Sequence, residues 1–457
     1  MPARPLVLIH GYSASGSSFD SWKQVLAEQG YGPDQLHVCT YKTLTNEVSI
    51  KDIAEALDRA LRIQTGLDGN EEFDAIVHST GMLVVRAWLA SHARRRSRLK
   101  HLIGLAPATF GSPLAHKGRG WLGAIFRGNR ELGPDFLEAG DLVLDGLELG
   151  SRFTWDLAHR DLIGEGAFYG PGSETPYAFI FCGTAKYPPP LKWISDEGTD
   201  GTVRLAGAAL NTRKITIDLT LDRAGDVDPR RVQTAPWSNV DIPVIPISGR
   251  DHGSILSNPP KRLVRFVMDA LAVDDAASYR AWLQRAASHA TTVFGRAMHL
   301  ARWQQFVVRV VDERDDGVND YYLDFIVKRK GKRKWEQLRD HEMAVRPYSG
   351  DASYRCFHIN LDSLGLAEGD TLGVRLVASS GTALVAYDGF SDEDVELYVD
   401  QESREVQGEW SGVIDLSSLE RISFFYPFTT TLVEVRLNRE PQPPTGRNEV
   451  LWFLKPE

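Results

Sequence analysis

The apolar run Phe73-Asp74-Ala75-Ile76-Val77-His78 stops at Ser79, and Thr80-Gly81 leads at once into an amphipathic helical pattern from Met82 to His92. A strand that turns sharply into a helix at a serine lifts the hydroxyl above the carboxyl edge of a parallel sheet. It also aims the helix amino terminus at any oxyanion formed there. That arrangement is a nucleophile elbow, and it makes Ser79 the candidate nucleophile. Of the usual G-x-S-x-G only the second glycine, Gly81, is kept, because Val77 stands where the first is expected. A serine capping an ordinary strand-to-helix turn reads the same way, so its partners must decide.

Three partners follow from what acyl transfer needs. Pro5-Leu6-Val7-Leu8-Ile9 reads as a buried strand running into His10-Gly11-Tyr12-Ser13-Ala14-Ser15-Gly16, a loop of small residues that lets a backbone N–H approach a substrate. The amides of Tyr12 and Thr80 would form a two-donor oxyanion hole, each donor worth about 3–4 kcal/mol of barrier. The general base should hang from a late strand. Ile242 to Ser248 is that strand, and it delivers Gly249-Arg250-Asp251-His252-Gly253-Ser254, with His252 as base. His10 and His78 adjoin the proposed hole and nucleophile and read as structural hydrogen-bonders. The acid should lie between serine and histidine, on the loop after the strand Tyr177 to Gly183. Asp200 is the choice for holding the His252 tautomer, with Asp196 and Glu197 as alternatives. Asp251 is set aside because neighbours in an extended loop point apart, and Asp218 because Lys214 to Leu221 alternates like an added strand.

In this order and spacing, H-G-Y-S-A-S-G, V-H-S-T-G-M, G-T-D-G-T-V and G-R-D-H-G-S resemble the α/β-hydrolase superfamily, specifically its compact bacterial lipase and esterase branch, over residues 1 to about 272. The resemblance implies Ser79 as nucleophile, Asp200 as acid, His252 as base, and Tyr12 and Thr80 as oxyanion donors, with His10, Gly11, His78 and Gly81 supporting the motifs. Leu105 to Ala115 also looks like the segment where such lipases enter their lid region.

The elements that must position these groups alternate. Helix patterns near Ser18 to Gln29 and Ser49 to Thr65, and strands at Leu36 to Tyr41 and Leu99 to Leu105, predict a doubly wound, mostly parallel α/β sheet. Residues 112–175 interrupt it with helical patterns at Trp121 to Phe126 and Phe136 to Leu149, read as a lid or cap or as a subdomain that never moves. The catalytic domain is expected over 1–274, completed by a helix from Lys261 to Leu271, with a helical connector over 275–302. From about 303 the runs shorten and become β-branched and aromatic: Gln305 to Val311, Tyr321 to Lys328, Tyr354 to Leu361, Leu372 to Ala378, Val395 to Val399, Ile422 to Phe428, Thr431 to Leu437 and Val450 to Leu454. This spacing predicts an antiparallel β-sandwich over 303–457.

Composition narrows the class. The 457 residues are 42% hydrophobic, enough for more than one core, and the net charge of −9 argues against general nucleic-acid binding. No phosphate-cradling glycine motif calls for a nucleotide, no C-x-x-C or H-x-x-x-H spacing for structural zinc, and no cofactor is expected. Three separated cysteines, Cys39, Cys182 and Cys356, read as free thiols. The strand beginning at position 5 leaves no room for a signal peptide, and no apolar run reaches about 18 residues, so a cytoplasmic location is the default, with signal-less secretion as the other outlet. Arg94, Arg95, Arg96, Arg98 and Lys100 suit the carboxyl end of the helix after the elbow. Lys328, Arg329, Lys330, Lys332, Arg333 and Lys334 surround Gly331 as a basic hairpin tip, either a solvated turn or a peripheral contact for anionic lipid headgroups at about 1 kcal/mol per residue. Asp312, Glu313, Asp315, Asp316, Asn319 and Asp320 share one loop, but their spacing does not match a calcium-binding loop and a solvated hairpin is the better reading.

The function expected is a serine carboxylic-ester hydrolase working on lipid esters, lipase or esterase or phospholipase, through an acyl-enzyme. Two rivals stand beside it. The same triad can pass the acyl group to an alcohol or thiol acceptor, or the chain can be a non-catalytic lipid-binding protein on a hydrolase scaffold.

Overall fold

The structure is a computed structural model, and it describes residues 4–11, 16–41, 47–63, 65–67, 71–117, 141–163, 168–172, 174–189, 191–221, 229–236, 240–296, 301–379, 385–388, 409–415 and 424–441. The chain divides into two compact units. The first comprises Met1–Arg213, Pro236–Gln305 and Phe428–Thr430, and the second Lys214–Ala235, Phe306–Pro427 and Thr431–Glu457.

In the first unit the strands are β1 (Leu6–Ile9), β2 (Leu36–Cys39), β3 (Phe73–His78), β4 (Leu99–Leu105) and β5 (Tyr177–Gly183); β1, β3, β4 and β5 are mostly apolar and buried, as strands covered on both faces must be, and β2 at the edge is half-buried. Two further strands, β6 (Thr212–Asp218) and β7 (Val232–Ala235), intervene before β8 (Val244–Ile247). The order across the sheet is β2-β1-β3-β4-β5-β8, and every neighbouring pair is parallel. Parallel pairing requires crossovers. Among them are the helices α1 (Asp20–Glu28), α2 (Ile50–Ile63) and α3 (Gly81–Ser91), which connect the first four strands. Because every pair is parallel, the carboxyl ends of β1, β3, β5 and β8 share one edge, and the order reverses between β1 and β3, the switch point where such sheets build their sites.

Between β4 and β5 the described part of the insertion holds α4 (Asp141–Leu147) and α5 (Arg152–Asp161), the latter capped by Ser151 accepting from the Thr154 amide at 3.3 Å. The expected helix over Trp121 to Phe126 lies outside the described residues. After β5 come the short helices α6 (Leu205–Ala208) and α7 (Ser254–Ser257), then α8 (Lys261–Leu271) and α9 (Ala276–Arg296). The helix α9, in the segment expected as a connector, is part of the core. Tyr279, Trp282, Leu283 and Ala286 of α9 are buried in the core with Phe179, Phe181 and Val267, and the Tyr279 hydroxyl donates to the Ala178 carbonyl at 2.9 Å.

The second unit contains two sheets. β10 (Asp320–Lys328), β11 (Glu336–Gln337), β14 (Thr371–Ser379) and β16 (Glu409–Asp415) form one in the order β11-β10-β14-β16, antiparallel throughout. The other runs β12-β13-β9-β17-β6-β7, from β9 (Trp303–Asp312), β12 (Met343–Pro347), β13 (Tyr354–Asn360) and β17 (Thr430–Pro441), with β15 (Val385–Asp388) also paired to β17. One core cluster takes Phe306, Val308, Phe357 and Val435 from this sheet and Phe325, Leu372, Leu376 and Ile414 from the other. The segment Lys214–Ala235 was expected in the first domain. It belongs here because Ile215 and Ile217, the apolar members of its alternation, are buried in this core. The run Ile422 to Phe428 is described from Phe424 and is not a strand there, with Phe428 in the left-handed region at φ 60°. The expected strands Val395 to Val399 and Val450 to Leu454 lie outside the described residues.

The basic tip is the turn between β10 and β11, with Gly331 at φ 78°. Arg329 pairs with Glu336 at 2.9 Å and Asp370 at 2.7 Å, Lys328 lies over the Trp335 ring at 4.5 Å, and Lys330, Lys332 and Arg333 are exposed. The acidic loop is organised by arginine. Buried Asp312 accepts from the Arg314 and Asp316 amides at 2.9 and 3.0 Å, and Arg436 pairs with Asp315 at 2.6 Å. Among the described residues no group of acidic, histidine or cysteine side chains forms a metal site, and no helix is long and apolar enough to cross a membrane.

Candidate active site

Ser79 leaves β3 with φ 54°, the left-handed conformation that a non-glycine residue adopts only at a cost, and Thr80 then stands at the first position before α3. The turn is held on three sides. The Ser79 amide donates to Leu105 O at 3.3 Å, and the Ser79 carbonyl accepts from Met82 N and Ala108 N, both at 3.1 Å. Val77 is fully buried within β3 and does not prevent this geometry. The retained glycine is the indispensable one, because a Cβ on Gly81 would stand 2.7 Å from the Ile9 carbonyl oxygen. Gly11 brings the loop after β1 equally close: its Cβ would lie 2.7 Å from the Ser79 Cβ. Tyr12 lies outside the described residues, whereas Thr80 sits at the amino end of α3, where backbone N–H groups point at the edge.

His252 follows β8 and Asp200 follows β5, and both are fully buried. His252 Nδ1 meets Asp200 Oδ2 at 2.8 Å, and the His252 amide donates to the Asp200 carbonyl at 2.9 Å, so ring and backbone are fixed by one residue. The other carboxylate oxygen, Oδ1, accepts from the Thr202 amide at 3.0 Å and the Val203 amide at 2.7 Å. The Cys182 thiol donates weakly to Oδ2 at 3.8 Å. Burial and the Asp200 charge push that thiol well above its usual pKa, which keeps it a neutral donor. The two alternatives for the acid are engaged elsewhere. Glu197 pairs with Lys186, and Asp196 meets the buried Arg204 at 3.4 Å.

The two other motif histidines lie around this centre. His78 Nε2 donates to the His252 carbonyl at 2.9 Å, and the two rings pack at 4.5 Å between centroids. His10 Nδ1 donates to the Gly11 carbonyl at 2.7 Å while its Nε2 accepts from the Tyr41 amide at 3.3 Å, a pattern that only the neutral ring satisfies. Burial lowers the pKa of both. His78 is lowered furthest, with the neighbouring His252 adding to the effect.

No protein-family model matches the chain, and no curated protein matches it. Among solved structures, phospholipase PlaB from Legionella pneumophila in complex with thio-NAD superposes with a TM-score of 0.75 at 19% identity, covering 99% of this chain and 98% of that one. A second structure of PlaB gives a TM-score of 0.74 at 20% identity, covering 98% and 97%. This chain has the α/β-hydrolase fold. The shared fold extends through both units, not through the parallel-sheet unit alone. Bacillus licheniformis lipase BlEst2 in mature form matches with a TM-score of 0.38 at 16% identity, over 59% of this chain and 93% of that one.

Around these residues, the groups that sequence reasoning missed are supporting ones. Arg86 of α3 is fully buried and bidentate to Asp161 of α5, at 2.7 and 2.9 Å, and donates to the Thr109 carbonyl at 2.6 Å. The Tyr169 hydroxyl donates to the same carboxylate at 2.8 Å. The hydroxyl of Ser112, at the insertion's entrance, donates to the Thr202 carbonyl at 2.6 Å, beside the Asp200 loop. The only sequence signal for the Arg86 network is a charge inside the otherwise apolar Met82 to Leu89 stretch. Of the arginine cluster after α3, Arg96 does donate to a late helix carbonyl, Leu89 O at 3.3 Å, but Arg98 is buried and donates to Leu67 O at 2.6 Å and Glu71 O at 3.1 Å.

Proposed function

We propose that this chain is a serine carboxylic-ester hydrolase that cleaves lipid esters through an acyl-enzyme formed on Ser79. The observation that carries the reading is the buried His252–Asp200 pair at 2.8 Å on the sheet edge where Ser79 is held at φ 54°. With Nδ1–H donated to Asp200, the neutral ring leaves Nε2 as the proton acceptor. His252 takes the Ser79 proton as Oγ bonds to the ester carbonyl carbon, and the Thr80 and Tyr12 amides hold the oxyanion. Collapse breaks the ester C–O bond, and the leaving alcohol takes the proton from Nε2. Water then attacks the acyl-enzyme by the same route and frees the acid and Ser79.

Lipid esters are favoured over small soluble esters by the fold shared with a protein named as a phospholipase. The insertion after β4 is read as a cap. Within it α5 is a fixed wall, since the Arg86–Asp161 pair anchors it to the nucleophile helix. The two sheets of the second unit are read as a sandwich that shares one core, and the exposed Lys330, Lys332 and Arg333 as a contact for anionic headgroups. A fluorophosphonate that mimics the tetrahedral intermediate tests the chemistry. The adduct should map to Ser79 by mass spectrometry and be absent in His252→Ala; labelling elsewhere, or none, would remove the reading.

A further inference from the structure

We infer that the loop between β5 and Asp200 is a lipid-surface contact, with Trp193 as the side chain that enters the interface. The choice of a lipid surface as occupant rests on the lipid-ester reading above. Trp193 is 89% exposed, the largest exposure among the big apolar side chains described. Indoles of soluble folds are mostly covered, and one left in water on a short helical turn calls for a partner. An indole combines an apolar body with an N–H that stays hydrated, so it settles at the boundary between headgroups and acyl chains. Lys192 beside it is exposed and cationic, which suits an anionic surface.

Position on the fold singles this residue out. A segment that leaves the carboxyl end of β5 and runs to Asp200 lies at the edge that gathers Ser79, Asp200 and His252. Ile63, which is 73% exposed, ends a helix that returns the chain to the opposite edge, where no substrate is handled. The feet of the Trp193 loop are braced. Lys186 pairs with Glu197 across the base, the Tyr187 hydroxyl and the Thr202 Oγ are 2.7 Å apart, and Arg204 reaches Asp196 at 3.4 Å. At the tip the Ser195 amide donates to the Lys192 carbonyl at 3.2 Å. A stiff tip that carries an aromatic of two rotatable bonds gives up little entropy on docking. Docking there sets the catalytic edge against the surface that holds the ester.

The test uses the Ser79→Ala full chain, which binds without turnover, and vesicles of mixed zwitterionic and anionic phospholipids carrying brominated acyl chains. Trp193-dependent fluorescence quenching is expected, with a loss of at least about tenfold in vesicle affinity in Trp193→Ala, a larger loss in Trp193→Glu, and partial recovery in Trp193→Tyr. Equal quenching and affinity in parent and Trp193→Ala would overturn the inference. So would a concentration-dependent dimer that Trp193→Glu dissociates while vesicle binding persists, since the indole would then face a second copy of the chain. The catalytic reading fails separately: an enzyme with Ser79 intact that hydrolyses no ester would sink it while leaving Trp193-dependent binding in place.

Discussion

Replacing Asp200 by asparagine changes one atom, and the structure dictates what that atom does. Oδ1 accepts two backbone amides, from Thr202 and Val203, so the asparagine oxygen must take that place and turn its NH₂ toward His252. Nδ1 of His252, now 2.8 Å from a donor instead of an acceptor, has to give up its proton and accept. The neutral ring then carries its hydrogen on Nε2 and cannot take the Ser79 proton. In serine proteases that wrong tautomer lowers kcat about 10⁴-fold, and a loss of that order is expected here because the Thr202 and Val203 amides fix which asparagine atom faces His252. The cysteine thiol at 3.8 Å is too weak a donor to replace the lost charge. Asp196→Asn and Glu197→Gln, whose partners are Arg204 and Lys186, should stay within about tenfold of the parent, since neither touches His252. Hydrolysis of a p-nitrophenyl ester by the three variants at neutral pH reads all of this. Full activity in Asp200→Asn, or a collapse in Glu197→Gln that matches it, would refute the assignment of the acid.

Other perturbations have equally definite outcomes. Gly11→Ala puts a methyl where only 2.7 Å separates it from the Ser79 Cβ, so kcat should fall about 100-fold with fold retained by circular dichroism; an unchanged kcat would mean that the loop is not held against the nucleophile. Asp161→Ala strands the fully buried Arg86 charge and should cost about 3–5 kcal/mol in denaturant unfolding, more than Tyr169→Phe, which leaves the bidentate pair in place. A loss under about 1 kcal/mol would show that α5 is not clamped. His10 and His78 have folded pKa values depressed below 6.5 by burial, so the unfolded chain takes up protons first as the pH falls. Their contribution is present above the ordinary histidine value of 6.5 and is lost as the pH falls below it toward their depressed folded values, so the unfolding midpoint should drop as the pH is lowered through that value. His78→Asn should flatten that drop, and an unaltered slope would count against a neutral buried ring.

The site was more legible than the architecture around it, for a physical reason. Ser79 sits where a buried strand ends in small residues, Asp200 and His252 lie on glycine-containing loops that follow later buried strands, and chain order alone constrains which strand precedes which candidate group. Ser79, His252 and Asp200 could be named as candidates from that punctuation. The Arg86–Asp161 pair joins residues far apart in sequence whose local patterns say only helix, and long-range ion pairs leave no periodic trace. Alternation likewise identified β6 as a strand but not as a strand of the second unit, since period two records which face is buried and not against what. The helix α9 was read as a connector because it follows a complete α/β alternation, yet its aromatic stripe of Tyr279 and Trp282 lies against Phe179.

The measurement that bears most directly on the central claim is fatty-acid release from phospholipid vesicles by the parent enzyme and by Ser79→Ala. Removing the serine of a working triad costs about 10⁶-fold in kcat, so release should fall to the vesicle background in the variant. Release by Ser79→Ala at the parental rate, with both proteins folded, would contradict a Ser79 acyl-enzyme outright.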